Sequence, residues 1–212
     1  MKIYNFWLLI ISISILTAAG CSQRADIENK EESVFTDLTL RQIYDAANQH
    51  DLKTLELFAH HETAAYRMAY AKCMASVLDT NARENLYTLL NDPIPYVRLY
   101  ASFAVGQYRD TASLPALEKA LKKATIPEIK AEVLEAIGKS ADANALEYLI
   151  FHEPSNAVEE TGKMWGIYNA ALRGLLKEEH LRIVVAHLAS REPETREAAI
   201  HTLHRQRSYD LT

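Results

Sequence analysis

The sequence predicts an all-α protein, an α-solenoid of about five stacked helical hairpins. The first reason is composition: the 212 residues include 30 Ala and 26 Leu but only 6 Gly and 6 Pro, and alanine and leucine are strong helix formers. The second is a pattern of residue types that recurs about every 31 positions. The third is proline between successive helical segments, where it separates one helix from the next. One such hairpin cannot bury its apolar face alone, so the units are expected to stack.

The first twenty residues are predicted to lie outside the fold. Lys2 precedes an apolar run over residues 6–19, which is shorter than the roughly 20 residues that span a bilayer and is typical of a secretory signal. Residues 18–21 read Ala-Ala-Gly-Cys and resemble the lipobox of bacterial lipoproteins, although Ala18 replaces the usual leucine. That resemblance implies cleavage before Cys21, a lipid on its thiol and a membrane-anchored place in the cell envelope, with the outer membrane favoured. The alternative is an ordinary cleaved signal peptide.

Residues 21–37 are predicted to form a flexible tether, because the stretch after Cys21 is polar and charged and has little to bury. The repeat domain is predicted for residues 38–212, beginning with a single helix over Leu38–Gln49. The first helices of the five hairpins, called A helices, are predicted near residues 52–60, 82–90, 114–122, 144–151 and 180–189. The second helices, called B helices, are predicted near residues 64–77, 96–107, 129–139, 163–176 and 194–205.

A basic residue near the start of the B helix defines the repeat. It is present at Arg67, Arg98, Lys130 and Arg196. An acidic residue follows twelve positions after each of the first three, at Asp79, Asp110 and Asp142. A small residue follows six positions after each basic one and lets helices approach closely, at Cys73, Ala104, Ala136 and Thr202.

The fourth unit is irregular. We place Gly166 at its basic position and Glu178 at its acidic position, with an insertion around residues 155–161. Three glycines and Trp165 fall in one helical region, which indicates that this unit has a special role in packing or in binding.

The second unit carries a recognisable motif. Residues 89–93 read Leu-Leu-Asn-Asp-Pro, and Val97-Arg98 and Ala104-Val105-Gly106 follow. This motif resembles HEAT repeats, and the step near 31 is similar to the shorter HEAT-like units of bilin lyases. The resemblance covers residues 50–205. It implies a non-enzymatic scaffold that binds a protein or peptide on its concave face.

A closer resemblance suggests an alternative function. Residues 40–44, 165–168 and 205–211 are similar to the HEAT arrays that precede a cyclophilin-type peptidyl-prolyl isomerase domain in some bacterial lipoproteins. The enzyme's own motifs are missing, because Phe151-His152-Glu153 has glutamate where the cyclophilin Phe-His-Arg has arginine. No catalytic residue therefore carries over. The alternative is a substrate-recruiting part of such an isomerase. A bilin lyase-like role is disfavoured by the secretory address.

The net charge and the missing sequence motifs exclude several classes of partner and of catalytic site. The formal net charge of -5 disfavours nucleic acid, and no glycine-rich phosphate loop, catalytic triad or CxxC motif stands out. We therefore expect no catalytic site, no cofactor and no metal ion. His60 and His61 are poor joint ligands, and His187, His201 and His204 lack acidic partners at a fixed spacing, beyond Glu197.

Aromatic residues are the predicted partner-binding side chains. In a solenoid the B helices line the concave face, and tyrosine and tryptophan are enriched in interface hot spots. The candidates are Tyr66, Tyr70, Tyr96, Tyr100, Trp165 and Tyr168. The alternative is that several of them pack between units. The recurring basic residues, with Glu62 and Asp92, are predicted to form a structural ladder between units, and Cys73 is predicted to be a buried packing residue.

Overall fold

The computed structural model describes residues 36–205 of the chain. Predictions for the signal segment, for the lipid on Cys21 and for most of the tether lie outside these residues, as does the stretch after Arg205. Within the described residues, contacts assign residues 36–42 to one unit and residues 43–205 to another. The described part of the first unit contains the start of helix α1, where Asp37 accepts hydrogen bonds from the backbone N–H groups of Thr39 (2.8 Å) and Leu40 (3.1 Å).

Over residues 36–205 the secondary structure is eleven α-helices with short 3₁₀ turns and no strand. They are α1 (Leu38–Asn48), α2 (Leu52–Glu56), α3 (Ala64–Val77), α4 (Arg83–Leu89), α5 (Pro95–Gln107), α6 (Leu114–Lys123), α7 (Pro127–Ser140), α8 (Ala143–Phe151), α9 (Ala157–Leu172), α10 (Leu181–Ala186) and α11 (Pro193–Arg205). None of the described helices has the length and apolarity needed to cross a bilayer.

From α2 onward the helices alternate as predicted, giving five hairpins. The A helices are α2, α4, α6, α8 and α10, and the B helices are α3, α5, α7, α9 and α11. Each B helix packs on the B helix of the next unit. Every A helix contributes a buried leucine to the core, and these leucines recur every 31 or 32 residues at Leu55, Leu86, Leu117, Leu149 and Leu181.

The recurring acidic residues start the A helices. Asp79, Asp110 and Asp142 each accept a hydrogen bond from a backbone N–H two or three residues later, at 2.7, 3.0 and 2.8 Å. An aspartate in this position satisfies a donor that the first helical turn leaves without a partner. Proline has the complementary role at the B helices, because Pro95, Pro127 and Pro193 are their first residues, where a missing N–H costs nothing.

The structure corrects the register of the fourth unit. Helix α9 begins at Ala157, six residues before the predicted start, because Asn156 caps it by accepting a hydrogen bond from the N–H of Glu159 (3.0 Å). Glu160 is then the fourth residue of its helix, the position that Arg67 and its equivalents hold in theirs. The additional residues of this unit lie after α9, and not around residues 155–161.

Gly166 consequently has a different role from the one predicted. It lies six positions after Glu160, in the small-residue position, and its backbone packs against Gly138 of α7. Glu178 is the first residue of a 3₁₀ turn that Lys177 precedes, so it does not cap as Asp79 does. The predicted insertion was wrong because Glu160 occupies the position that is basic in the other units, so the recurring pattern did not reveal it.

Candidate functional site

The recurring basic residues are structural. The Nη1 of Arg67 donates to the carbonyl oxygens of His61 (2.6 Å) and Glu62 (2.8 Å), which closes the turn between helices A and B. Arg98 and Arg196 make the same pair of contacts in their own units.

Two of these basic residues also reach the next unit. Arg67 pairs with the buried Asp92 (2.7 Å), and Lys130 lies 3.4 Å from the buried Glu159. The ladder is thus formed by Asp92 and Glu159, whereas Glu62 contributes only its backbone carbonyl to Arg67.

Lys163 compensates for the missing basic residue in the fourth unit. Its buried ammonium group donates to the carbonyl oxygens of Ile150 (3.0 Å) and His152 (2.7 Å). Burial lowers the pKa of Lys163, while Glu153 and Glu160 act in the opposite direction. In the fourth unit the turn between helices A and B is therefore closed by Lys163, which lies one helical turn after the usual basic position.

Tyr70, one of the predicted binding residues, is fully buried. It lies three positions after Arg67, and the residues three positions after the equivalents of Arg67 are also buried. They are Ala101, Val133, Lys163 and Ala199. Tyr70 is therefore a core residue whose hydroxyl receives a hydrogen bond from Asn85 (3.5 Å), and the prediction that it contacts a partner is wrong.

Tyr66 lies near the start of α3, beside the turn that precedes it. Its half-buried ring packs edge-on against His61 (4.9 Å between centroids) and Phe58 (6.2 Å). The equivalent residues Val97, Ile129 and Thr195 are buried, so this position faces the core in the other units where the register is regular.

The other four aromatic candidates remain accessible to different degrees. Tyr96 is 59% exposed, and Tyr100 is half-buried with the ammonium of Lys72 4.2 Å from its ring centroid. Trp165 and Tyr168 form an edge-on pair with centroids 5.4 Å apart, and His201 lies 6.0 Å from both rings.

Four consecutive B helices line an open cavity of about 660 Å³, which we call the B-face groove. Leu99 comes from α5, Ala131 from α7, and Val158 and Trp165 from α9, while Pro193 belongs to α11. The indole of Trp165 is half-buried in this lining. The groove runs along the stacking direction of the units and across their B helices, so no single hairpin contains it.

Every charged residue that lines the B-face groove is a glutamate. These residues are Glu128, Glu132, Glu135, Glu192 and Glu194. Only one of them has a basic partner among the ion pairs of the described residues, because Glu135 lies 2.8 Å from Lys139 on the next turn of α7. The groove therefore carries a concentrated negative charge beside an aromatic ring.

Glu132 has the most unusual environment in the B-face groove. Its Oε1 is buried and has no hydrogen-bond partner. Burial, with the nearby charge of Glu135, raises the pKa of Glu132 to about 7, although Lys139 acts in the opposite direction. Glu132 therefore keeps its proton to a higher pH than an exposed glutamate does, and its Oε1 lacks a donor.

The groove follows the repeat, and the sequence contained a signal for it. Positions two before, one after, two after and five after the basic position line it: on α7 these are Glu128, Ala131, Glu132 and Glu135. On α9 the same positions hold Val158, Thr161, Gly162 and Trp165 once Glu160 is placed in register. With Gly166 at the basic position, the lining positions of α7 and α9 do not correspond. The sequence pattern therefore did not identify the glutamates as groove residues.

Another titratable cluster of the described residues lies outside the groove, where Glu147, Glu179 and His180 bring side-chain atoms within 4.8 Å of one another. The Nδ1 of His180 accepts a hydrogen bond from the N–H of Lys177 (3.1 Å), so its Nε2 carries the proton and donates to Glu147 (3.0 Å). Both ring nitrogens of His180 are therefore hydrogen-bonded, and the side chain stabilises the turn that leads into α10.

Cys73 is buried, as predicted, and burial raises the pKa of its thiol to about 11. Since the thiolate is the reactive form, the side chain acts as a small apolar packing residue.

Comparisons with known proteins agree with this architecture. The family profile for HEAT repeats matches residues 52–138 and 83–159, which together span half of the chain. A search of curated protein sequences found no significant match.

Solved structures with a similar fold include the complex of CpcE and CpcF of phycocyanin lyase from Nostoc sp. PCC7120 (TM-score 0.58, 21% identity, 79% of this chain and 71% of that chain). A designed armadillo repeat protein is also similar (TM-score 0.52, 16% identity, 78% and 86% of the two chains). Another designed armadillo repeat protein, in complex with the peptide (KR)4, matches with a TM-score of 0.51 (17% identity, 78% and 85%). These likenesses show the fold, and the chain belongs to the HEAT-repeat family.

Proposed function

We propose that this chain is a membrane-anchored scaffold of the bacterial envelope that holds a protein partner, or a segment of one, in the B-face groove. The observation that carries the proposal is the groove itself, which crosses four B helices and has Trp165 in its lining. Tryptophan in a partly desolvated depression is a frequent centre of protein binding. The lipid on Cys21, proposed from the lipobox resemblance, supplies the anchor.

The structural neighbours support a binding role. One belongs to a complex of two protein subunits and another is bound to a peptide. The groove is lined by glutamates, by small and apolar residues and by one tryptophan. Such a lining suits the binding of a polypeptide better than it suits catalysis. We therefore propose binding without catalysis on this chain.

The test is a selection of random twelve-residue peptides on the purified protein. We expect selected peptides to bind the wild-type protein and to bind a Val158→Trp variant at least about tenfold more weakly, because the new indole fills the groove. Val185→Trp is the matched control, since Val158 and Val185 are 42% and 45% exposed and Val185 lies on α10, outside the groove. Failure to select binders, or binders that Val158→Trp does not weaken, would contradict the proposal.

A further inference from the structure

We propose that the occupant of the B-face groove is an extended polypeptide segment that carries several lysine or arginine residues. The inference rests on the proposed function and adds the chemistry of the partner to it. Three observations lead to it: the sign of the groove's charge, the aromatic rings in and beside the groove, and the distribution of the groove carboxylates over more than one unit.

The charge of the lining selects a cationic partner. Five glutamates and no basic residue line the groove, and four of those glutamates have no lysine or arginine partner among the ion pairs of the described residues. Carboxylates gathered in a depression with low-dielectric walls concentrate a field that attracts cations and repels anions. Complementary charge therefore favours a basic segment over a neutral or an acidic one.

The protein's own lysines show how such side chains are accommodated. The ammonium of Lys72 lies 4.2 Å from the ring centroid of Tyr100, and that of Lys139 lies 5.2 Å from the centroid of Phe103. Both aromatic rings are on α5, the helix that contributes Leu99 to the groove. Cation–π contacts of this kind stabilise a lysine or arginine while its carbon chain packs on apolar surface. Trp165 offers a further ring to an incoming cation.

The carboxylates of the groove are spread over two units, which fits several separate cations better than one bound ion. Among the described residues, one group of at least three metal-ligating side chains brings its ligand atoms within 4.8 Å of one another. It consists of Glu147, Glu179 and His180, and none of these lines the groove. The groove glutamates are instead distributed over α7, α11 and the residue before α11, with α9 between the two helices. Packed helices are about 8–10 Å apart, so four helices span roughly 25–30 Å, the length of about eight or nine extended residues.

Glu132 is the residue that most requires such a partner. Its Oε1 is buried without a donor, and a buried carboxylate left without a donor is costly. An ammonium or guanidinium group entering the groove supplies that donor. Binding then favours the charged form of Glu132, so affinity is expected to fall as the pH drops from 8 to 6, through the pKa of about 7.

Other charged side chains surround Glu132 or line the same groove. On its own helix they are Glu128, Glu135 and Lys139, and from the last unit they are Glu194 of α11 and Glu192, which precedes that helix. The groove residues of α5 and α9 carry no side chain that ionises near neutral pH. The expected pH effect is therefore assigned to Glu132.

The experiment measures fluorescence anisotropy of a labelled twelve-residue peptide in which lysine alternates with serine. We expect the wild-type protein to bind it, with affinity that falls as salt screens the charges. The variant Glu132→Gln with Glu194→Gln is expected to bind at least about tenfold more weakly. The control variant Glu84→Gln with Glu178→Gln, which removes two exposed carboxylates outside the groove, is expected to stay within about twofold of the wild type.

The outcomes separate this inference from the proposed function. Equal weakening by both double variants would show attraction to net charge alone and would overturn the inference. Equally tight binding of peptides in which glutamine or glutamate replaces lysine would also overturn it. If the library peptides bind in a manner sensitive to Val158→Trp but the lysine peptide does not bind, the inference fails and the proposed function stands. If neither kind of peptide binds, the proposed function fails as well.

Discussion

At the scale of single residues, Glu132 combines a structural cost with a binding opportunity. Its carboxyl group has a raised pKa of about 7, so the folded protein holds this proton more tightly than the unfolded chain does. A group with a raised pKa contributes its stability at low pH and loses it as the pH rises through the folded value. The wild-type protein is accordingly expected to lose stability between about pH 4.5 and pH 8 through Glu132.

Replacing Glu132 with glutamine should reveal this loss. We expect Glu132→Gln to raise the free energy of unfolding by about 1–3 kcal/mol at pH 8, because the amide is never charged, and by clearly less at pH 5. Urea denaturation at the two pH values measures the difference. Glu128→Gln on the same helix, at an exposed position, is the control and should change little. An equal effect of Glu132→Gln at both pH values would show that the charged form carries no penalty.

At the scale of helices, the fold depends on how closely the B helices approach. Helices α7 and α9 meet through backbone at Gly138 and Gly166, and Gly162 of α9 lies against Ala131 of α7. This contact fixes the separation of the two helices that carry Glu132 and Trp165. The register of α9, and with it the shape of the B-face groove, follows from these small residues.

Alanine at Gly138 should therefore separate α7 from α9. Its methyl group would overlap the carbonyl oxygen of Gly166, and backbone cannot move aside as a flexible side chain does. We expect Gly138→Ala to lower the free energy of unfolding by about 3 kcal/mol, even though alanine favours a helix by about 1 kcal/mol over glycine. Gly106→Ala is the comparison, because its methyl group would lie 3.0 Å from Ala136 and needs a smaller shift. Thermal unfolding with equal midpoints for the two variants would contradict this account.

At the scale of the whole molecule, the proposed function depends on the repetition of the hairpins and on the predicted membrane anchor. The B-face groove takes residues from four of the five hairpins, so a shorter array would lose part of it. The address remains a prediction from residues 18–21, which lie outside the described part of the chain.

Anchoring through Cys21 is tested by fractionating cells that express the natural protein. We expect the wild-type protein in the membrane fraction, with an intact mass slightly above that of residues 21–212 because of the lipid, and a Cys21→Ser variant in the soluble fraction. Ser22→Ala serves as the control and should remain with the membrane. A wild-type protein that is soluble would contradict the anchor. A species larger by a whole domain would favour the alternative in which this array recruits substrates for a prolyl isomerase.

The fold class, the five hairpins and most helix boundaries could be predicted from the residues alone, because these features depend on interactions that are local in the chain. Proline at a first helical turn and aspartate at a cap act within a few residues of themselves, and the recurring pattern makes each unit support the assignment of the next. Which side chains share a surface depended instead on how the helices pack together. Tyr70 turned inward, and glutamates of α7 and α11 came to line one groove with Trp165, because stacking and the true register of α9 set the face that each B helix presents.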